Sequence, residues 1–302
     1  MEESMTAFDL DAYMREKADR VNRRLEAFLD VPADENGLYA AMRHSLMAGG
    51  KRLRPILAIA GAEAVGGDGD SALPLAAALE LIHTYSLVHD DLPAMDDSDT
   101  RRGRPTSHKQ FGEATAILAG DALLTHAFEI LTDPERTAGL DPRLIPKVVC
   151  EVSRAIGVEG MIGGQAADLR FMGVQSGPED VQYIHRRKTA ALIRVSAWSG
   201  AVLGGAGDEQ AGAVGRYGEN VGLAFQIVDD ILDETGDSQR LGKTAGSDRE
   251  AGKATYPKVF GIDESRKLAR DLVDSALSEL TEFGQGAEPL RSIARFIVAR
   301  DF

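Results

Sequence analysis

His89-Asp90-Asp91-Leu92-Pro93-Ala94-Met95-Asp96-Asp97 and, far downstream, Gln226-Ile227-Val228-Asp229-Asp230-Ile231-Leu232-Asp233 are the two stretches on which the reading of this chain turns. Each sets aspartates in an apolar sequence that should otherwise be buried. Carboxylates are almost never fully buried unless they are paired or hold a metal. In the second stretch Gln226, Asp229, Asp230 and Asp233 stand at i, i+3, i+4 and i+7, an arc of about 100° on a helix. That spacing predicts one helix presenting three carboxylates to one spot. The first stretch ends a helix expected from about Pro74 to Asp91, because Pro93 disfavours helix at the residue before it. On that helix His83, Leu87 and Asp90 share a face and Asp91 lies near its edge. Asp96 and Asp97 fall in the loop beyond, where they can fold back toward the helix end.

The same helical period runs through the rest of the chain. Leu10, Tyr13, Met14, Val21, Leu25 and Phe28 near one end, and Leu268, Leu272, Val273, Ala276 and Leu280 near the other, mark amphipathic helices with one buried stripe. No sustained alternating run of β-branched residues marks a strand. Glycine and proline place loops at 66–70, 133–146, 173–178, 204–208 and 236–252. None reads as an interdomain linker, so the expectation is one all-α domain over residues 1–302, with roughly ten helices. A net charge of −14 and a pI near 4.9 argue against a nucleic-acid or anionic-membrane binder. The single cysteine, Cys150, excludes an internal disulfide framework. Charges throughout residues 1–30 predict no signal peptide, and no apolar run approaches the ~20 residues of a membrane span, so a cytoplasmic protein is expected.

What do the aspartates do? A solvated acidic stripe should interleave lysines at i+4, yet the neighbours here are Ile, Leu and Val. Asp97-Ser98-Asp99 begins like a calcium loop, but Arg101 takes the next ligand place and no glycine sits at the sixth. The basic residues complete the pattern. They cluster at Lys51, Arg52 and Arg54, at Arg101, Arg102 and Arg104, at Arg186, Arg187 and Lys188, and at Lys243 and Lys253. Carboxylates with arginine forks suit a diphosphate, since Mg²⁺ is usually held by one or two carboxylates plus substrate phosphates. No GxxxxGK[ST] loop, HExxH or GxSxG motif offers a nucleotide, zinc or serine-nucleophile reading.

Gly49-Gly50-Lys51-Arg52-Leu53-Arg54-Pro55, the segment from Asp90 to Gly103, and Phe225 to Asp233 occur in an order that resembles the trans-isoprenyl diphosphate synthases, most nearly the bacterial farnesyl diphosphate synthases. Segments at 118–124, 164–168, 188–189 and 241–257 extend the likeness from about Tyr39 to the end of the chain. The resemblance implies an all-α isoprenoid synthase-like fold around a central cavity, a homodimer, and three Mg²⁺ ions between the two aspartate motifs and an allylic diphosphate. Carried over, Asp90, Asp91 and Asp96 hold metal on one side, and Asp229, with Asp230 or Asp233, on the other. Spacing does not decide between Asp96 and Asp97. Arg101, Lys188, Thr189, Gln226, Lys243 and Lys253 fall to the allylic diphosphate or its metals, and Lys51, Arg54, His83 and Arg102 to isopentenyl diphosphate. Tyr85 and Ser86 match the positions that limit product length in farnesyl-producing members. Gln165 and Asp168 share a helix face but receive no role.

The implied reaction is ionisation of the allylic C–O bond, attack by the double bond of isopentenyl diphosphate, and loss of a proton to the released pyrophosphate. Three rival readings remain: a geranylgeranyl diphosphate synthase, a class I terpene cyclase, and a non-catalytic partner subunit. The cyclase needs no second diphosphate site, which Lys51 and Arg54 supply. The partner subunit should have lost metal ligands, and both sets are present.

Overall fold

The computed structural model describes residues 8–29, 34, 36–236 and 252–299. Helices make up nearly all of it: α1 (Leu10–Phe28), α2 (Leu38–Leu46), α3 (Leu53–Ala64), α4 (Leu73–Asp90), α5 (Ser107–Phe111), α6 (Glu113–Thr132), α7 (Leu144–Ile156), α8 (Met161–Phe171), α9 (Pro178–His185), α10 (Ala191–Leu203), α11 (Asp208–Thr235), α12 (Tyr256–Phe260), α13 (Ile262–Ser278) and α14 (Glu288–Ala299). The described residues hold fourteen α-helices where roughly ten were expected, the five-residue α5 and α12 among them. One two-residue antiparallel pair, β1 (Thr100–Arg101) with β2 (Arg104–Pro105), is the only sheet among the described residues.

Each site-bearing helix follows from local chemistry. Proline near the start of α4 supplies a preset φ where no hydrogen-bonded N–H is needed. The helix stops where expected, with Asp91 as its cap before Leu92 and Pro93. From Pro74 to Ile82 every residue of α4 is buried, so it is a core helix with no polar face. Asp208 and Glu209 in the first turn of α11 complement the helix dipole, and Gly236 ends it in the left-handed conformation.

Two apolar cores flank a central helix pair. One gathers side chains of α1, α2, α4, α6 and α7, the other those of α11, α13 and α14, and α3 and α10 feed both. Where α3 crosses α10 the backbones nearly touch: a Cβ on Gly200 would lie 1.9 Å from the Ala58 carbonyl oxygen, and one on Gly61 2.4 Å from that of Ala197. Gly200→Val should therefore force the central pair apart. Overpacking of this kind costs on the order of 1–3 kcal/mol or more, which lowers the melting temperature by roughly 5 °C. An unchanged melting curve would mean that the helices are not this close.

Length and composition alone let two helical stretches span a membrane, Gly69–Asp90 and Glu113–Thr132. This corrects the expectation that no stretch qualifies. The first is sheathed by protein along most of its length. The second, α6, is less covered and exposes Ile117 and Leu118.

Candidate active site

The loop after α4 folds back as expected, with Asp96 N–H donating to the Asp90 carbonyl (2.9 Å) and Ser98 N–H to that of Asp91 (3.1 Å). This sets Asp96 beside the helix end, half-buried, while Asp97 is exposed with φ +46°. The two carboxylates feel each other: burial lifts the Asp90 carboxyl above its ordinary range, Lys188 pulls it down, and Asp96 pushes it up again. A hairpin follows whose two-residue turn, Arg102 (φ +53°) and Gly103 (φ +73°), has the mirror-image geometry that suits strand twist. For a non-glycine residue that conformation costs ~1–2 kcal/mol. It separates two arginines that are adjacent in sequence. Arg101 turns to Asp91, and Arg102 turns to the Gly49 carbonyl, its guanidinium lying where a Cβ on Gly50 would stand.

Asp91 is paired with an arginine. It is buried, and its carboxylate accepts three hydrogen bonds from Arg101, at 2.9 and 3.0 Å from Nε and 2.7 Å from Nη2. A guanidinium fork matches a carboxylate in shape and charge. Asp91 thereby anchors Arg101.

On α11 the four polar residues do not converge on one spot. Asp229 is half-buried, whereas Asp230 and Asp233 are buried. Asp230 accepts from Gln226 Nε2 (2.8 Å) and from the Tyr256 N–H (3.0 Å), and His185 Nε2 stands 3.7 Å away. The Asp230 carboxylate therefore ties α11 to α12 and α9.

One segment contacts both aspartate helices. Between α9 and α10, residues Arg186–Ala190 form one π-helical turn, a form often found at functional sites. Its Lys188 faces the first motif, 4.0 Å from Asp90 and 2.6 Å from Asp168. The next residue, Thr189, faces the second, donating to Gln226 Oε1 at 2.7 Å. The segment lies hard against α8, where a Cβ on Gly164 would come within 2.2 Å of the Lys188 nitrogen. From α8, Gln165 Nε2 donates to Asp90. Lys253 reaches back to Asp96 at 3.0 Å. Lys243 lies outside the described residues.

A cationic region adjoins the carboxylates. Burial, then Arg54, Arg102, Arg101 and Arg52, hold His83 neutral, well below the usual histidine range. Burial likewise pulls Arg54 down to about 10, against the carboxylates of Glu80 and Asp229. The buried Arg54 Nε has no hydrogen-bond acceptor among the described residues. Lys51 is exposed, its Nζ 5.4 Å from the Phe296 ring centre. The lowered imidazole thus has four guanidiniums around it, one of them with a buried donor unspent among the described residues.

Residues 35–287 match the family model described as polyprenyl synthetase. The chain belongs to that family. It is 48% identical over 300 residues to the chloroplastic geranylgeranyl pyrophosphate synthase of Catharanthus roseus, covering 99% of this chain and 83% of the relative. It is 47% identical over 294 residues to a dimethylallyltranstransferase of Fischerella ambigua, covering 97% and 84%. The crystal structure of an FPP/GFPP synthase from Zymomonas mobilis superposes with a TM-score of 0.85 at 38% identity, over 96% of this chain and 98% of that one. As a polyprenyl synthetase the chain is a prenyltransferase that condenses isopentenyl diphosphate with allylic diphosphates.

Among the described residues no three His, Cys, Asp or Glu side chains already converge as a metal site. The donors nonetheless fit Mg²⁺. Asp90 and Asp96 repel each other, and each has an ammonium group close by. A hard cation that takes one or two carboxylates and completes its shell with phosphate oxygens suits such a pair. Three polar residues of this polyprenyl synthetase site were not assigned a role from sequence. Gln165 and Asp168 were visible through their shared helix face, but their partners Asp90 and Lys188 lie on other elements. Glu80 belonged to no motif; its signal was a lone carboxylate inside the apolar run from Leu73 to Ile82.

Proposed function

We propose that this prenyltransferase makes farnesyl diphosphate, condensing isopentenyl diphosphate first with dimethylallyl and then with geranyl diphosphate. The observation that carries this reading is the π-helical turn, whose consecutive Lys188 and Thr189 face the two aspartate motifs and so make one site of both. In it Asp90 and Asp96 from one side, and Asp229 supported by Asp233 from the other, would hold Mg²⁺. When bound, Mg²⁺ supplies the positive charge that offsets charge building on the departing diphosphate. Lys188 and Arg101 donate to the allylic diphosphate, with Thr189, Gln226 and Lys253 around it. Such donors favour breaking the allylic C–O bond because they are strongest toward the ionised group. Lys51, Arg54, His83 and Arg102 orient isopentenyl diphosphate so that its double bond meets the allylic cation. The proton then lost passes to the pyrophosphate, so no side-chain base is required, and the double bond itself is the nucleophile.

The fifteen-carbon end point is supported by Tyr85, which precedes Asp90 by five residues on α4 and is buried together with its hydroxyl oxygen. Its ring stands edge-on to His89, 5.8 Å between centroids, and His89 Nε2 lies 2.9 Å from the Ile117 carbonyl on α6. Tyr85 stands about one helical turn before Asp90 on α4. The half-buried Ser86 is turned back on its own helix, donating to the His83 carbonyl at 2.8 Å. A twenty-carbon product is the second reading, favoured by the name of the 48% identical relative. Chromatography of products from labelled isopentenyl diphosphate, an allylic starter and Mg²⁺ decides between them. The wild type should give mainly fifteen carbons, and Tyr85→Ala twenty or more. A mainly twenty-carbon wild-type product removes the farnesyl assignment and leaves the reaction. A destabilised Tyr85→Ala with an unchanged product spectrum makes Tyr85 a packing residue.

The exposed Ile117 and Leu118 on α6 support a homodimer, in which a second copy covers that helix. Sedimentation should report twice the monomer mass.

A further inference from the structure

Glu80 is the one charged side chain within the apolar run of α4, and it is 2% exposed. A buried carboxylate must be matched by charge and hydrogen bonds, or its desolvation is uncompensated. Its direct partner is Arg52, with Nη1 2.6 Å from Glu80 Oε1. Arg52 is itself buried and left-handed (φ +51°) at the start of α3. Its remaining donors reach the Leu46 carbonyl (2.8 Å) and Asn22 Oδ1 (2.9 Å). One guanidinium therefore pins α1, α2 and α4 around the turn that carries Gly49, Gly50 and Lys51 and launches Arg54. Arg102 lies against the same turn at Gly49 and Gly50, and His83 follows Glu80 by three residues on α4. The Glu80 carboxylate also opposes the lowering of both Arg54 and Arg102 that burial produces. Three guanidiniums this close repel one another, and Glu80 is the buried anion among them.

We propose that Glu80 is a positioning residue for isopentenyl diphosphate: it anchors Arg52, and as the internal counter-ion it keeps Arg54 and Arg102 gathered before the substrate arrives. This rests on the reading that Lys51, Arg54, His83 and Arg102 hold that substrate. Glu80 itself touches no reacting atom, so its loss should appear in one Michaelis constant.

The test is steady-state kinetics of Glu80→Gln, which preserves shape and an acceptor for Arg52 while removing the charge. Its KM for isopentenyl diphosphate should rise ~10-fold, the scale of one weakened charge-assisted contact, while KM for geranyl diphosphate and kcat change far less. Equal rises in both constants, or no rise in a folded variant, overturn the proposal. If Glu80→Gln does not fold, the double variant Arg52→Met/Glu80→Leu decides, because an apolar pair of similar volume often replaces a buried ion pair without loss of stability. A folded double variant with a selectively raised KM supports the proposal, and one with wild-type constants overturns it. Arg54→Ala serves as the control. If it leaves KM for isopentenyl diphosphate unchanged, the site assignment is wrong. If it raises that KM while Glu80→Gln does not, the site assignment stands and the role given to Glu80 does not.

Discussion

Asp90→Ala and Asp229→Ala should each turn over at least ~10²-fold more slowly than the wild type at saturating substrates and Mg²⁺, the scale on which removing one transition-state charge partner acts. The two residues belong to helices far apart in sequence, so equal sensitivity would follow from a shared site. Asp90 is half-buried beside Asp96, with Lys188 4.0 Å away, and Asp229 is close enough to Arg54 to influence its charge. The contrast with Asp230→Asn is informative. That carboxylate is occupied by Gln226 and the Tyr256 backbone, so its loss should lower the melting temperature more than it lowers kcat at the growth temperature. Initial-rate kinetics with purified variants checks this. Near-normal kcat in either alanine variant contradicts the metal-binding assignment.

Arg54→Ala and Lys51→Ala should raise KM for isopentenyl diphosphate and spare that for the allylic partner. Removing one member of a desolvated charged contact costs about 2 kcal/mol or more, roughly a 30-fold change in affinity. The larger effect is expected at Arg54, which is half-buried with its Nε out of solvent, and the smaller at Lys51, which is exposed. Equal rises for both substrates would mean that the cationic turn serves both diphosphates, and the separation into two subsites would be lost.

Much of this molecule is legible without coordinates because helical period is a local property. The span of α4, its termination before Pro93 and the return of the loop to the helix end all follow from spacing and proline chemistry. The presence of a charged site follows from aspartates among aliphatic neighbours. Which oxygen faces what does not follow. Asp229 and Asp230 are neighbours on one helical arc, yet packing of α12 against α11 gives Asp230 to the Tyr256 N–H and leaves Asp229 toward Arg54. Asp91 looked equivalent to Asp90 until the hairpin turn at Arg102-Gly103 delivered Arg101 onto it. Glu80 was hidden for the converse reason. Its meaning depends on Arg52, which reaches it from the start of another helix, and no periodicity within one element records such a contact. Asp96 was separated from Asp97 by backbone conformation alone, a left-handed φ at Asp97 turning that side chain to solvent.

The proposed reaction requires the two aspartate motifs to share a single diphosphate through divalent cations. A crystal structure of the protein with a non-ionisable geranyl thiolodiphosphate and Mn²⁺, its metals located by anomalous scattering, measures it. The prediction is Mn²⁺ bound to Asp90 and Asp96 on one side of the thiolodiphosphate and to Asp229 on the other, with the Lys188 ammonium on the diphosphate and Asp91 still held by Arg101. Anomalous peaks confined to one motif, or a thiolodiphosphate seated away from both, would contradict it.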